Sequence, residues 1–361
     1  MSIGQERQGN PAPCGERVRL SVIIKALNEE KHIEAAITSA LAVVDAVGGE
    51  VILADSASSD RTVPIAQAYP VRIVQLEHPD ERCCGIGPQL GYQHARGEFV
   101  WIADGDQVLN PVFAQEALAL LLDNPDLAGV AGTVNEAVIQ NLEFERRSKI
   151  KPEMTAGIRD MKWLSQGGIY RRKAIEEVGH FSDRNLHSYE EYDLGRRLRA
   201  ANWRLVRIAT SSCEHFGHSA SSYKLLWRRF TSKYAYGSGE ALRAAMAQGE
   251  AVRILKEISE VKLWLANLSF WMVLATAIVL AVAGALWWPF ALVIAVIPIL
   301  AATLKTRDLR RGFFTWLSWN VFTLGFVMGF FRRRTSPGDR IASRDISGPN
   351  WRANPASVER R

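Results

Sequence analysis

The feature that most limits the fold is a break in hydropathy near residue 263. Residues 1–260 mix charged and apolar side chains as a soluble α/β protein does, whereas 263–331 are almost wholly apolar. The apolar block divides into segments 263–286, 287–304 and 312–331. At about 1.5 Å per helical residue the first is long enough to cross a bilayer. The second is shorter and carries Pro289 and Pro298, so it would span only a thin bilayer or a tilted path. Trp287 and Trp288 stand between them without charge, in the manner of an interfacial turn. A buried hairpin of a soluble protein would need polar faces that these segments lack. Lys305, Arg307, Arg310 and Arg311 follow the second segment, and Arg332, Arg333 and Arg334 follow the third. The positive-inside tendency wants both clusters in the cytoplasm. The sequence therefore predicts that the first two segments span and that the third re-enters or lies at the interface.

The polar part reads as one α/β domain with flanking pieces. Leu20 to Ile24, Val51 to Ala54, Val71 to Leu76 and Phe99 to Ala103 are short apolar, β-branched or aromatic runs, the mark of buried strands. Helical patterns separate them, as in 29–47, where Ile33, Ala36, Ile37, Ala40, Leu41 and Val44 recur at helical spacing. Strand–helix alternation predicts a mostly parallel sheet. A helix over 190–201 and a strand over 204–208 follow, then basic, aromatic and partly amphipathic residues 219–260, which suit a membrane face. The expected division is a polar N-terminal tail 1–18, a catalytic domain 19–215, interfacial helices 216–262, membrane segments 263–331 and a polar C-terminal tail 332–361.

Charge and cysteine content narrow the partners. The net charge is +6, with Arg228-Arg229, Arg310-Arg311 and Arg332 to Arg334 all near apolar segments. That placement predicts contact with an anionic membrane surface and no nucleic-acid partner. Cys14, Cys83, Cys84 and Cys213 have neither metal spacing nor a disulfide framework, so reduced thiols are expected. Residues 1–19 lack the apolar core of a signal peptide, which predicts a cytoplasmic start for the domain.

The chemistry is written at strand ends. The run Phe99 to Ala103 stops at Asp104-Gly105-Asp106, so it delivers two carboxylates to the sheet edge where α/β folds bind ligands. Carboxylates so close repel unless a cation sits between them, and a divalent metal holding a phosphate fits. The other strand ends supply Asn28-Glu29-Glu30, Asp55 followed by Ser56 to Asp60, and later Gln166-Gly167-Gly168 and Glu190-Glu191-Tyr192-Asp193-Leu194. Asn28 can equally cap a helix whose first turn carries Glu29 and Glu30, and Asp60 reads best as a cap. A first strand followed by Lys-Ala-Leu-Asn-Glu, not by Gly-x-Gly-x-x-Gly, excludes a dinucleotide-binding Rossmann site.

These pieces, in this order over residues 19–215, resemble the family 2 inverting glycosyltransferases, and the apolar segments resemble the bacterial integral-membrane members. The resemblance implies a GT-A fold, a nucleotide-diphospho-sugar donor and Mg²⁺ or Mn²⁺. It implies that Asn28 and Glu29 flank the nucleotide, that Asp55 binds the base, and that Asp104 contacts ribose and helps Asp106 hold the metal. His215 or His218 would complete that metal site. Gly167 and Gly168 would lie beneath the donor sugar with Glu190 nearby, and Glu191 would be the general base. The family's usual proline and tyrosine are replaced by Lys25 and Leu27, and its arginine and asparagine are missing from 85–91. Arg82 is open as a phosphate contact or a loop charge, and Arg228-Arg229-Phe230 only loosely matches a basic–aromatic motif of lipid-glycosylating relatives. The function implied is transfer to a lipid or lipid-linked glycan in cell-envelope or exopolysaccharide synthesis, at the inner membrane with the domain cytoplasmic. The rival is a catalytically silent membrane scaffold, against which the intact acids at 55, 104, 106 and 191 argue.

Overall fold

A computed structural model describes residues 19–137, 157–165, 167–217, 221–285 and 287–353. The expected tail 1–18 and the end of the chain from 354 lie outside the described residues. Strands β1 (Leu20–Ala26), β2 (Gly49–Asp55), β3 (Arg72–Leu76) and β4 (Phe99–Asp104) fall where apolar periodicity puts them. The remaining strands are β5 (Gln107–Leu109), β6 (Leu127–Glu136), β7 (Arg159–Asp160), β8 (Gly168–Arg171), β9 (Arg204–His215) and β10 (Ser343–Asp345). They form one sheet in the order β10-β3-β2-β1-β4-β8-β6-β9-β5, with β7 beside β9.

The sheet is mixed. β1 runs parallel to β2 and β4, and β2 to β3, but β8 is antiparallel to β4 and β6. The alternation rule holds only for the first half, because β8 runs antiparallel to both of its neighbours. One face of the sheet is covered by Ile33–Val47 and Pro111–Asp123, whose Ile33, Ile37, Phe113 and Leu121 are fully buried against β1 and β4. The other carries Ile86–Tyr92 and Glu190–Ala200, with Leu90, Leu194 and Leu198 in a second cluster. A third cluster joins Leu186 and Tyr192 to Leu242, Trp264 and Phe326, so the domain and the apolar helices share a core.

The apolar block forms helices Ser259–Val282, Pro289–Thr306 and Leu309–Phe331. The first and third are long and apolar enough to cross a membrane, and the second is shorter. Asn267 donates to Thr323 at 2.9 Å and Trp264 stacks on Phe322, which holds the two long helices side by side. Gly325 packs on the Ala235 carbonyl, where an added Cβ would lie 2.6 Å from its oxygen, so the third helix sits directly on the domain.

Residues 332–353 correct the reading of 332–361 as a tail. Arg332 pairs with Glu240 at 3.1 Å and Arg334 with Asp183. Gln93 and Ile341 exchange hydrogen bonds of 2.8 and 3.1 Å, and β10 then adds to β3 as an antiparallel edge strand. An exposed edge has unpaired backbone groups that such a strand satisfies. Its sequence, Ser-Arg-Asp, carries no apolar signal.

Candidate active site

Parallel pairing sets the cleft. In register, Lys25 lies opposite Asp104 and Ala26 opposite Asp55, so the strand ends expected to carry chemistry share one edge. β1 feeds neighbours on both sides, the switch-point arrangement at which open α/β sheets bind ligands.

The loops after β1 and β2 are stitched together. Asn28, at φ 60°, accepts from the Ser59 amide at 2.8 Å, and its own N–H donates to the Ser58 hydroxyl at 2.9 Å. The Glu29 amide donates to Thr62 at 2.8 Å and the Glu30 amide to Asp60 at 3.1 Å. Asp60 also accepts from the Thr62 amide at 2.9 Å, although the cap position of helix Thr62–Ala66 is Arg61. Asn28 acts through this stitching and not as the cap of helix Ile33–Val47, which begins at His32. Asp55 is fully buried and accepts from the Ser58 amide at 3.0 Å and the Gln75 amide group at 2.8 Å. It therefore organises the turn in this structure and presents no surface to a base. Arg82 donates to the Ser56 carbonyl at 2.7 Å and to that of Ala57, which resolves its role as a loop clamp.

The two aspartates after β4 separate. Asp104, with a side chain 39% exposed, pairs with Lys25 at 3.0 Å. Asp106, 6% exposed, faces the His215 Nε2 at 3.3 Å, while His215 Nδ1 lies 2.7 Å from Glu136. Each carboxylate has its own cationic partner, where the sequence suggested one metal between them. Burial alone would lower the His215 pKa, but hydrogen bonds to Asp106 and Glu136 outweigh it and hold the ring at about 9. Glu136 escaped the sequence reading because only pairing of β6 with β9 sets it opposite His215. A divalent ion fits this donor set: Glu136 orients the ring from Nδ1, leaving Nε2 and the Asp106 carboxylate as neighbouring ligands. No larger ligand cluster occurs among the described residues, so the other positions would fall to substrate phosphates and water. His218 and Gln166 lie outside the described residues.

The third component is the start of helix Glu190–Ala200. Glu190, Glu191 and Asp193 occupy its first turn, after Tyr189 at φ 69°. Glu191 accepts a hydrogen bond from the Gly167 amide at 3.1 Å. Gly167 is at φ 86°, and a Cβ there would run into the Ile102 carbonyl, so its glycine is required by the backbone. Gly168 is equally constrained, with an added Cβ 2.9 Å from the Val130 carbonyl. The pair thus has backbone reasons for its glycines beyond the room for a sugar that the sequence suggested. Desolvation and then the neighbouring Glu190 push the Glu191 pKa up to about 7, against the pull of Lys25. Desolvation also raises Glu190. Burial would lower Lys25, yet Asp104, Glu190 and Glu191 together raise it. One ammonium group therefore ties the β4 acid to the helix acids. Asp193 plays another part: buried between Arg196 at 2.7 Å and Arg197 at 2.8 Å, it is held down to about 2 by these guanidinium groups despite its burial.

The model for glycosyl transferase family 2 matches residues 21–180. That stretch contains every strand from β1 to β8. Residues 21–180 of this chain belong to glycosyl transferase family 2. A dolichol-phosphate mannosyltransferase of Pyrococcus furiosus is 24% identical over 170 residues, 44% of this chain and 48% of that protein. The chain thus matches about half the length of this curated relative. Among solved structures, a mannosyltransferase of Pyrobaculum calidifontis in complex with GDP-Man and Mn²⁺ is 20% identical with TM-score 0.54, covering 88% of each chain. TarS 1–349 of S. aureus in complex with UDP-GlcNAc is 18% identical with TM-score 0.47, over 60% of this chain and 66% of that one. The fold of the family 2 domain is GT-A, followed by apolar C-terminal helices.

Proposed function

We propose that this chain is a membrane-anchored inverting glycosyltransferase that moves a sugar from a nucleotide-diphospho-sugar to an acceptor hydroxyl. The observation that carries the reading is Glu191. It is a carboxylate fixed by the Gly167 amide, poised near neutrality, and linked through Lys25 to the acid after β4. A general base works best with a pKa near the operating pH. Glu191 takes the proton of the acceptor hydroxyl as its oxygen bonds to the anomeric carbon. The bond from that carbon to the phosphate oxygen breaks on the opposite face, its electron pair leaves with the nucleoside diphosphate, and configuration inverts. Asp106 and His215 would hold a Mg²⁺ or Mn²⁺ ion, which when bound supplies charge stabilisation to the leaving diphosphate. Asn28, Glu29 and Asp55 shape the nucleotide loops. GDP-Man and Mn²⁺ in one relative's complex support the donor class and the metal, and the lipid in another's name supports an acceptor carried on a lipid.

The path of the chain supports anchoring. It leaves the domain at Ser259 and returns at Arg332, so its crossings of a bilayer would be even in number. Helices Ser259–Val282 and Leu309–Phe331 are the two of sufficient length. In this reading they cross the inner membrane, and Pro289–Thr306 lies on the far side, with the domain cytoplasmic. The same even parity is kept by the arrangement in which the second segment spans and the third re-enters or lies at the interface. Membranes bearing the full chain, given a panel of UDP- and GDP-sugars, should release nucleoside diphosphate from one donor and stop on chelation. No release from any donor would sink the reading.

A further inference from the structure

Glu190 and Glu191 form the wall between two recesses. On one side lie Lys25, Gly167 and Ser182. On the other is a cavity of about 500 Å³ that the proposed donor site does not use. Its volume lies within the roughly 300–1,000 Å³ of small-molecule sites. Its walls come from Tyr189, Tyr234 and Trp163, from Ser238, and from Phe322 of the third apolar helix. Its floor includes Ser259 and Glu260, where the first apolar helix leaves the domain.

The chemistry of this lining is selective. Among the described residues no lysine, arginine or histidine lines the cavity, while Glu190, Glu191, Glu257 and Glu260 do. Glu257 is already paired with Arg199 at 2.8 Å. A phosphate needs charge-assisted donors, and carboxylates at the wall repel it. A sugar ring has the opposite needs. Its apolar face packs on aromatic rings, and its hydroxyls donate to carboxylates, which are acceptor-only when ionised. Ser238 adds an independent sign. It is 3% exposed, and its hydroxyl finds no hydrogen-bond partner among the described residues, although it lines the cavity. A buried hydroxyl left unpaired is costly, and a ligand hydroxyl would satisfy it.

We infer that this cavity is the acceptor site and that it takes a neutral, hydroxyl-bearing sugar, not a lipid phosphate. The inference rests on Glu191 as the base and deepens that reading. The cavity opens beside Ser259 at the root of the first long apolar helix and Phe322 within the third, so a sugar carried on a lipid reaches Glu191 from the bilayer side.

The test uses the full chain in nanodiscs with octyl glycosides, octyl phosphate of the same chain length, and the same sugars without the alkyl chain. Binding is read by saturation-transfer NMR, and transfer is read with the donor found in the screen. Octyl glycosides should bind and accept, and octyl phosphate should do neither. Tyr234→Ala should raise the glycoside KM about tenfold through lost stacking, leaving nucleotide affinity unchanged. Ser238→Ala should raise KM several-fold with kcat unchanged. Binding and glycosylation of octyl phosphate, or no glycoside binding at all, would overturn the inference. The donor reading would survive either result if Glu191→Gln still slowed release of nucleoside diphosphate. Free sugars matching the octyl glycosides would keep the carbohydrate assignment and overturn its lipid linkage.

Discussion

The two sides of the cleft are built by different means. The donor side consists of strand ends: Lys25 and Asp104 face each other because β1 and β4 pair in register, and Asp55 ends the next strand over. The acceptor side has no such common origin. Glu191 begins a helix, Gly167 precedes β8, and Phe322 and Ser259 belong to apolar helices remote in sequence. Strand pairing sets the donor side, while separate elements converge to line the acceptor side. The contrast suggests that mutations on the two sides should fail differently.

The largest expected effect is on the acceptor side. Glu191→Gln keeps the shape but removes the proton acceptor, so kcat should fall by about 10²–10⁴ with donor affinity nearly unchanged. Turnover and nucleotide titration on one preparation check this. Retention of more than about a tenth of turnover would move the chemistry to Glu190 or make another step limiting. Asp193 is no substitute, because Arg196 and Arg197 occupy it.

The donor side should give a binding defect. Glu136→Gln leaves the metal ligands in place but weakens the hold on His215 Nδ1. Loss of such an outer partner costs about 10–100-fold in metal affinity. Mn²⁺ titration of donor binding should show that shift, with turnover recovered at saturating metal. A fall in kcat that metal cannot restore would blur the division between the two sides.

The smallest effect probes the residue joining them. Glu191 acts when deprotonated, so activity should rise with pH through about 7. Lys25 lowers the Glu191 pKa, so Lys25→Met should move that rising limb to higher pH. A pH–rate profile reads the shift, and an unmoved limb would mean that Lys25 serves only Asp104.

Much of the donor side was legible because strands reveal themselves locally. An apolar run that stops at an acid fixes both the element and the edge its side chain reaches, as Phe99–Asp104 shows. Several readings of single side chains depended on partners. Arg82 stayed open between a phosphate contact and a loop charge because a sequence displays a charge without what it touches.

By itself the sequence determined the α/β domain, the acids at its strand ends, and the apolar helices after it, since each depends on side-chain spacing within one segment. Only the tertiary structure decided the rest. It set Glu136 behind His215, gave Lys25 to acids on separate elements, and sewed residues 332–353 back onto β3. These depend on register and on contacts between distant segments, where a hydrogen bond or ion pair is fixed by backbone geometry that no local pattern encodes. The return of the chain to β3 also brings both ends of the apolar block back to the domain, a constraint that no count of charges along the sequence supplies.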